Sequence, residues 1–473
     1  MLKRLYKNNK EFSIILIIFS IIYSIFFFVF QQIKEVWWDS SCYIGVGKWF
    51  FSGGQEGFFQ SVIYPLLPFI MGSAWKIGLK GDALILFGEI IIFISCISSL
   101  ILLYNLGIRL FNKKIALTSV IILGFNALYF LFTFRIYTEM ITICFFLFSL
   151  FFIIKFNEKN KNYYLIFSGM FCSLAFLNKY TNIFVCVILN IILIYYSIKN
   201  KRFLPVVIFN ISIFIFIIPF FLFNYLKFGD FLYLWKVYQQ YANENIRPLY
   251  HWKSFPGIPR LLFKNIDWIY FKSILYLFNV TLPFFFYGVF KMFKEKRKKI
   301  FIFIFFPLII LFLITELFYL KQERYILIIF PLIALFCAYG LSFIKLRYKK
   351  VIVFLYLLFF LISSLFFFYM FSLERPYVDF FSSPPINFSC EKAISADPRI
   401  VLSDKVKKVS LPTQIFDEDF HIERLEKENP DCIFYYSCFD GRKNQILDIE
   451  KKNYSLTFNK DNGRCSFAIF KKF

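Results

Sequence analysis

Apolar runs of about 20 residues recur along the first three quarters of this 473-residue chain. A helix of about 20 residues covers the hydrocarbon core of a bilayer. In lipid every backbone N–H and C=O must find a partner inside the protein, so repeated runs of this length fold as a bundle of spanning helices. A membrane barrel would instead show alternating segments of about 10 residues. The chain is 59% hydrophobic, with a mean hydropathy of +0.63, against about 45–50% apolar residues in soluble domains. A soluble enzyme, a disordered chain and a fibrous chain are thereby excluded.

Eleven spans are expected, near 12–30, 82–105, 115–134, 137–154, 163–178, 181–198, 203–223, 273–290, 300–319, 325–343 and 351–371. Basic clusters fall in every second connection: Lys3 to Lys10, Arg109 to Lys114, Lys155 to Lys161, Lys199 to Arg202, Lys291 to Lys299 and Lys345 to Lys350. By the positive-inside rule these connections and the N-terminus are cytoplasmic. An odd number of spans then leaves the C-terminal segment outside. The first span lacks a small-residue cleavage site and is expected to be retained in the plasma membrane.

The formal charge of +24 does not point to nucleic acid. Residues 371–473 carry sixteen basic and sixteen acidic side chains, so the whole excess lies in the first 370 residues. It sits mostly in the short loops that set topology.

The expected architecture is a polytopic α-helical membrane domain over 1–371, followed by a small extracytoplasmic α/β domain over 372–473. Two outer loops of the membrane domain are long, 31–81 and 224–272. The first holds an amphipathic stretch, Cys42 to Phe51, and a semi-apolar stretch, Val62 to Leu79, read as lying at the interface. In the tail, Arg399 to Asp404, Cys432 to Ser437 and Cys465 to Phe470 read as strands, and Phe420 to Asn429 as a charged helix. Four tail cysteines (Cys390, Cys432, Cys438, Cys465) permit two disulfides in three connectivities.

Ionisable residues at the outer span ends are the candidates for chemistry, because charge near a bilayer is costly. Asp39 follows Trp37-Trp38 directly after the first span. An acid held there in a low-dielectric groove suits a general base or a cation ligand, and a solvated loop acid is the plain alternative. Glu139 begins the fourth span, where a helix dipole and Arg135 also account for it structurally. Arg324 and Lys321 open the tenth span, and Lys179-Tyr180 sit between the fifth and sixth. Such cations match phosphate oxygens, or snorkel to the interface. His251 and Trp252 lie in the second long loop. The chain has two histidines, which excludes a multi-histidine metal site within one chain.

Together these residues resemble the GT-C fold glycosyltransferases, in particular the branch containing protein O-mannosyltransferases and aminoarabinose transferases. The resemblance is carried by Trp37-Trp38-Asp39-Ser-Ser-Cys-Tyr43, Gly53-Gly54, Tyr64-Pro-Leu-Leu-Pro68 with Gly78 beyond it, Arg135-Ile-Tyr-Thr-Glu139 and Arg324-Tyr-Ile-Leu-Ile-Ile-Phe-Pro331. It spans about residues 1–345. It implies a polyprenyl-phosphate sugar donor, a glycan, lipid or protein acceptor, and an inverting transfer at the outer face. Asp39 matches the first-loop base and Glu139 the second acidic position. Arg324 and Lys179, with Lys321, match donor-phosphate contacts. Tyr64, Tyr180, His251 and Trp252 are assigned to the acceptor and substrate loops. The chain departs from the pattern at Ser40, where an acid often follows the base, and at Tyr64-Pro65, where a double proline is usual. The Asp-x-Asp of oligosaccharyltransferases is absent, since Asp39-Ser-Ser41 ends in serine. No cofactor, no tightly bound metal and no nucleic acid partner are expected.

The same residues bear on other functions. A polysaccharide polymerase or ligase would favour an arginine-rich outer loop, whereas 224–272 holds only Arg247 and Arg260. A transporter or flippase would show internal repeats or mid-span polar groups, and no repeat is evident. A scaffold with a receptor-like tail is the non-catalytic alternative.

Overall fold

The structure is a computed structural model. It describes residues 10–29, 38–60, 63–237, 269–317, 323–372, 380, 384–395, 397–410, 429–437, 453–461 and 466–473. Contacts group the chain into two units. One comprises Met1–Phe30 and Ile91–Tyr369, the other Gln31–Ile90 and Met370–Phe473.

Among the described residues, nine helices are long and apolar enough to cross a membrane: Lys10–Val29, Gly81–Leu110, Thr138–Lys159, Tyr180–Asn200, Leu204–Phe228, Tyr270–Lys294, Lys298–Glu316, Arg324–Leu341 and Leu346–Tyr369. Tyr163–Asn178 is a shorter apolar helix. These ten coincide with ten of the expected spans. The remaining one, expected at 115–134, is two short helices, Lys113–Gly124 and Ala127–Phe132. Asn126 makes the break. Its side-chain oxygen accepts from Tyr129 N, capping the second helix, and its amide donates to Leu277 O at 3.1 Å. An asparagine that caps a helix start competes with continuation of the preceding helix.

In the first unit, Phe330–Leu341 is buried at every residue, as an all-round apolar helix at the centre of a bundle must be. It packs on Leu282–Lys294 through two glycines. A Cβ on Gly288 would sit 2.5 Å from Phe336 O, and one on Gly340 would collide with Phe284 O. Small residues permit this backbone approach, and with it the dispersion contacts that hold helices together in lipid. Peripheral helices expose apolar side chains instead, including Phe214, Leu226, Phe354 and Ile362.

The alternation of basic loops has a structural counterpart. Helix ends expected on one side meet one another: Arg109 pairs with Glu158, Lys113 with Glu11 at 2.9 Å, and Tyr339 Oη donates to Glu295 at 2.9 Å.

In the second unit, the 14-residue helix Trp38–Phe51 packs on the 11-residue helix Leu66–Lys76. Eleven residues span only about 16 Å, so the semi-apolar stretch at 62–79 is too short a helix to cross a bilayer. The C-terminal residues form a five-stranded sheet, with β1 Cys390–Ser395, β2 Val406–Ser410, β3 Cys432–Ser437, β4 Tyr454–Asp461 and β5 Ser466–Lys472, in the order β2-β1-β3-β5-β4. β1 runs parallel to β2 and β3, while β5 runs antiparallel to β3 and β4. Its core is Ile394, Ile433, Tyr435, Tyr454, Ala468 and Phe470.

Two expected tail strands, those at Cys432 and at Ser466, are present. The third, Arg399 to Asp404, is instead a 3-10 turn, Pro398–Leu402. Pro398 offers no N–H to a ladder, and the Asp397 carboxylate accepts from Arg399 N at 2.8 Å, which turns the chain. The helix expected at 420–429 lies, but for Asn429, outside the described residues. Cys390 and Cys432 form a disulfide between the starts of β1 and β3, with Cα atoms 6.1 Å apart. Cys438 and Cys465 lie outside the described residues. The sequence-based division at 371 assigns loop 31–81 to the membrane domain. By contacts, residues 31–90 group with 370–473.

Candidate active site

Three of the expected residues meet in the first unit. Glu139 lies in the first turn of Thr138–Lys159 and is 5% exposed. The helix starts there because the chain doubles back just before it: Tyr137 N donates to Arg135 O at 2.7 Å, and Tyr137 itself is extended. The carboxylate therefore sits at the positive end of the helix dipole.

Lys179 stands between the helix Tyr163–Asn178 and the 3-10 turn Tyr180–Asn182, in extended conformation. Its backbone N–H caps the helix on Ala175 O and Phe176 O, and its Nζ lies 3.0 Å from Glu139 Oε1. Arg324 opens the 3-10 segment Glu323–Ile329 with its Nε 3.8 Å from the same oxygen. Two tyrosine rings flank the cations. Tyr325 lies 4.0 Å from Lys179 Nζ, and Tyr137 lies 4.8 Å from Arg324 Cζ. Both contacts are within cation–π range.

Residues that sequence reasoning missed fix this corner. Asn178 Nδ2 donates to Thr138 O at 2.7 Å and to Thr142 Oγ1 at 2.9 Å. Asn182 Nδ2 donates to Thr142 Oγ1 at 3.1 Å and to Ala175 O at 2.7 Å. One hydroxyl oxygen accepts both amides, which its two lone pairs allow. Asparagines on both sides of Lys179 tie its corner to the helix bearing Glu139. The available signal was the pattern Asn178-Lys-Tyr-Thr-Asn182 at a junction of two apolar runs.

The other candidates are placed differently. Tyr180 is 1% exposed and packs among Phe176, Phe220 and Trp235, a core position rather than a loop surface. Asp39 and Tyr64 belong to the second unit. Asp39 is half-buried in the first turn of Trp38–Phe51, and Tyr64 is half-buried just before Leu66–Lys76. Lys321, His251 and Trp252 lie outside the described residues. Among the described residues, no three His, Cys, Asp or Glu side chains gather as metal ligands would.

Residues 64–223 match the family described as dolichyl-phosphate-mannose-protein mannosyltransferase. No curated protein matches the chain by sequence. Solved structures match far better in shape than in sequence. ArnT from Cupriavidus metallidurans in the apo state has a TM-score of 0.68 at 10% identity, covering 97% of this chain and 98% of its own. The same protein bound to undecaprenyl phosphate gives 0.67 at 9%, over 96% and 97%. The archaeal oligosaccharyltransferase AglB from Archaeoglobus fulgidus, in complex with an inhibitory peptide and a dolichol-phosphate, gives 0.56 at 12%, over 98% and 74%. The chain has the GT-C fold.

The GT-C fold accounts for both parts of the chain, the apolar helices and the small C-terminal sheet domain. The resemblance is therefore borne out at the level of the fold, and the family match over 64–223 agrees with it. At identities of 9–12% the likeness is one of fold.

Proposed function

We propose that this protein is a membrane glycosyltransferase that moves a sugar from a polyprenyl-phosphate donor to an acceptor at the extracytoplasmic face. The observation that carries the reading is the convergence of Lys179 and Arg324 on Glu139, where three chain segments meet. Two cations held by one buried carboxylate and flanked by tyrosine rings suit a lipid phosphate. The family match over 64–223 includes Glu139 and Lys179 and supports a lipid-phosphate sugar as donor.

In this reading the acceptor oxygen attacks the anomeric carbon and the bond from that carbon to the phosphate oxygen breaks. The acceptor proton passes to the Asp39 carboxylate, the general base. The lipid phosphate departs as an anion, with Lys179 and Arg324, and Lys321 beside Arg324 in sequence, neutralising the charge it gains. Glu139 acts indirectly, by holding the two cations in one place. A single displacement inverts the anomeric configuration.

The test is sugar release from radiolabelled polyprenyl-phosphate sugars by the purified wild type and Asp39→Asn, with candidate acceptors supplied. Acceptor-dependent release that falls by about 10²–10⁴-fold in Asp39→Asn is expected for loss of a general base. Equal release by the folded variant removes Asp39 from that role. No release from any donor moves the reading to a transporter or scaffold.

A further inference from the structure

The second unit contains a buried ion pair in a corner of the C-terminal residues, and a buried lysine ties the turn beside it to a distant helix. Asp397 is fully buried and Arg399 is 6% exposed. Arg399 Nη1 lies 3.4 Å from Asp397 Oδ2, while Asp397 Oδ1 accepts from Arg399 N. Ser395 Oγ accepts from Asp397 N and donates to Asp397 O. These bonds place Ser395, Asp397 and Arg399 in a tight, polar corner at the end of β1.

The 3-10 turn Pro398–Leu402 that follows packs directly on the helix Trp38–Phe51. Lys48, itself buried, donates from Nζ to Val401 O at 2.7 Å, across 353 residues of sequence. A few residues on, Gly57 N donates to Lys407 O and Gly57 O accepts from Val409 N, so this loop adds to the edge of β2. Gly57 has a φ of +73°, and a Cβ there would lie 3.0 Å from Lys48 Cβ. The segment is thus held at both ends of its approach to the C-terminal residues.

The helix that meets the turn carries Asp39 in its first turn. Cys42 lies one turn beyond Asp39, so the two project from the same side. Burial pushes the Cys42 thiol well up, and the charges of Asp39, Asp397 and Arg399 all act on it.

We propose that the turn Pro398–Leu402 of the C-terminal domain holds the helix Trp38–Phe51 in register, with Arg399 and Lys48 as positioning residues for Asp39, so that this domain takes part in the transfer. The inference rests on Asp39 being the base. A general base must lie within hydrogen-bond reach of the proton it takes. Misplacement of a reacting group by 1 Å costs as much as about 10²-fold. Tying a short helix to a packed turn through a buried lysine is a way to meet that tolerance. It also explains why polar groups are buried where apolar packing would be simpler.

The test is a double-mutant cycle on kcat, with polyprenyl-phosphate mannose as donor. Arg399→Lys keeps the charge and shifts its position, and Asp39→Glu moves the carboxylate by one methylene. Each is expected to lower kcat by about 5–10-fold with the donor KM within about twofold, and the pair to depart from the product of the singles by at least about threefold. Effects that multiply within about twofold overturn the inference and leave the enzyme reading intact, provided Asp39→Asn is inactive. Full activity in Asp39→Asn overturns the inference and removes Asp39 as the base, while the transfer itself stands. Hydrogen–deuterium exchange supplies a readout that needs no donor. Lys48→Met is expected to speed exchange at residues 39–45 and Lys48→Arg to restore protection. Unchanged exchange in Lys48→Met overturns the inference.

Discussion

Glu139→Gln separates a counterion from a catalyst. The substitution keeps volume and an acceptor oxygen and removes one charge. Glu139 Oε1 lies 3.0 Å from Lys179 Nζ and 3.8 Å from Arg324 Nε. At an effective dielectric of about 20, those contacts correspond to gross attractions of about 5 and 4 kcal/mol. Dehydration of the charges cancels a large part of this. The Glu139 side chain is 4% exposed, Lys179 11% and Arg324 17%, so the loss on removing the shared partner falls at about 3–5 kcal/mol. The variant is therefore expected to unfold at a distinctly lower temperature in detergent. A lipid phosphate would supply the missing negative charge. Undecaprenyl phosphate, added as the probe, is expected to bind the variant about tenfold more tightly than the wild type, a difference of about 1.4 kcal/mol. At equal lipid the variant then gains more thermal stabilisation than the wild type. Lys179→Gln is expected to do the opposite and lose lipid-induced stabilisation. Thermal unfolding followed by tryptophan fluorescence, with and without the lipid, reads all of these. An unchanged melting temperature for Glu139→Gln, or weaker binding of the lipid phosphate, would refute the reasoning.

Further outcomes follow from packing, cross-linking and ionisation. Gly340→Ala places a methyl against Phe284 O in the helix pair Leu282–Lys294 and Phe330–Leu341; overpacking of this kind is expected to cost about 1–3 kcal/mol, read as a lower melting temperature with the donor KM unaltered. Cys390→Ser opens the disulfide to Cys432, a separation of 42 residues, and is expected to destabilise the C-terminal sheet by about 4 kcal/mol on the chain-entropy account; limited proteolysis of that domain should accelerate. Burial lowers the pKa of Lys48 below its ordinary 10.5, so above the folded value the unfolded chain binds more protons. Stability of the second unit is then expected to rise with pH between that lowered value and 10.5; Lys48→Met should flatten that rise in unfolding measured across the alkaline range.

The membrane bundle was legible because its determinant is local. A run of about 20 apolar residues satisfies its own backbone bonds as a helix wherever it lies in the chain. The basic loops fix which helix ends share a side, and the pairing of Arg109 with Glu158 agrees with that parity. The reading failed where a single side chain acts on a distant backbone: Asn126 splits an apolar run by bonding Leu277 O across 151 residues. Arg399 to Asp404 failed for a different reason. Its β-branched and apolar residues suit a strand, yet the Asp397-Pro398 corner and its burial against another segment make it a turn.

The candidate site divides in the same way. The sequence by itself determined that Asp39, Glu139, Lys179 and Arg324 stand at the ends of apolar helices, because charge is excluded from their middles. Only the tertiary structure decided that Glu139, Lys179 and Arg324 share one oxygen, that Asn178 and Asn182 lock their corner, and that residues 31–90 pack with the C-terminal domain. Helix formation follows from neighbouring residues. A contact across 40 or 353 residues depends on how the finished helices and turns pack, and no local pattern in the chain encodes that.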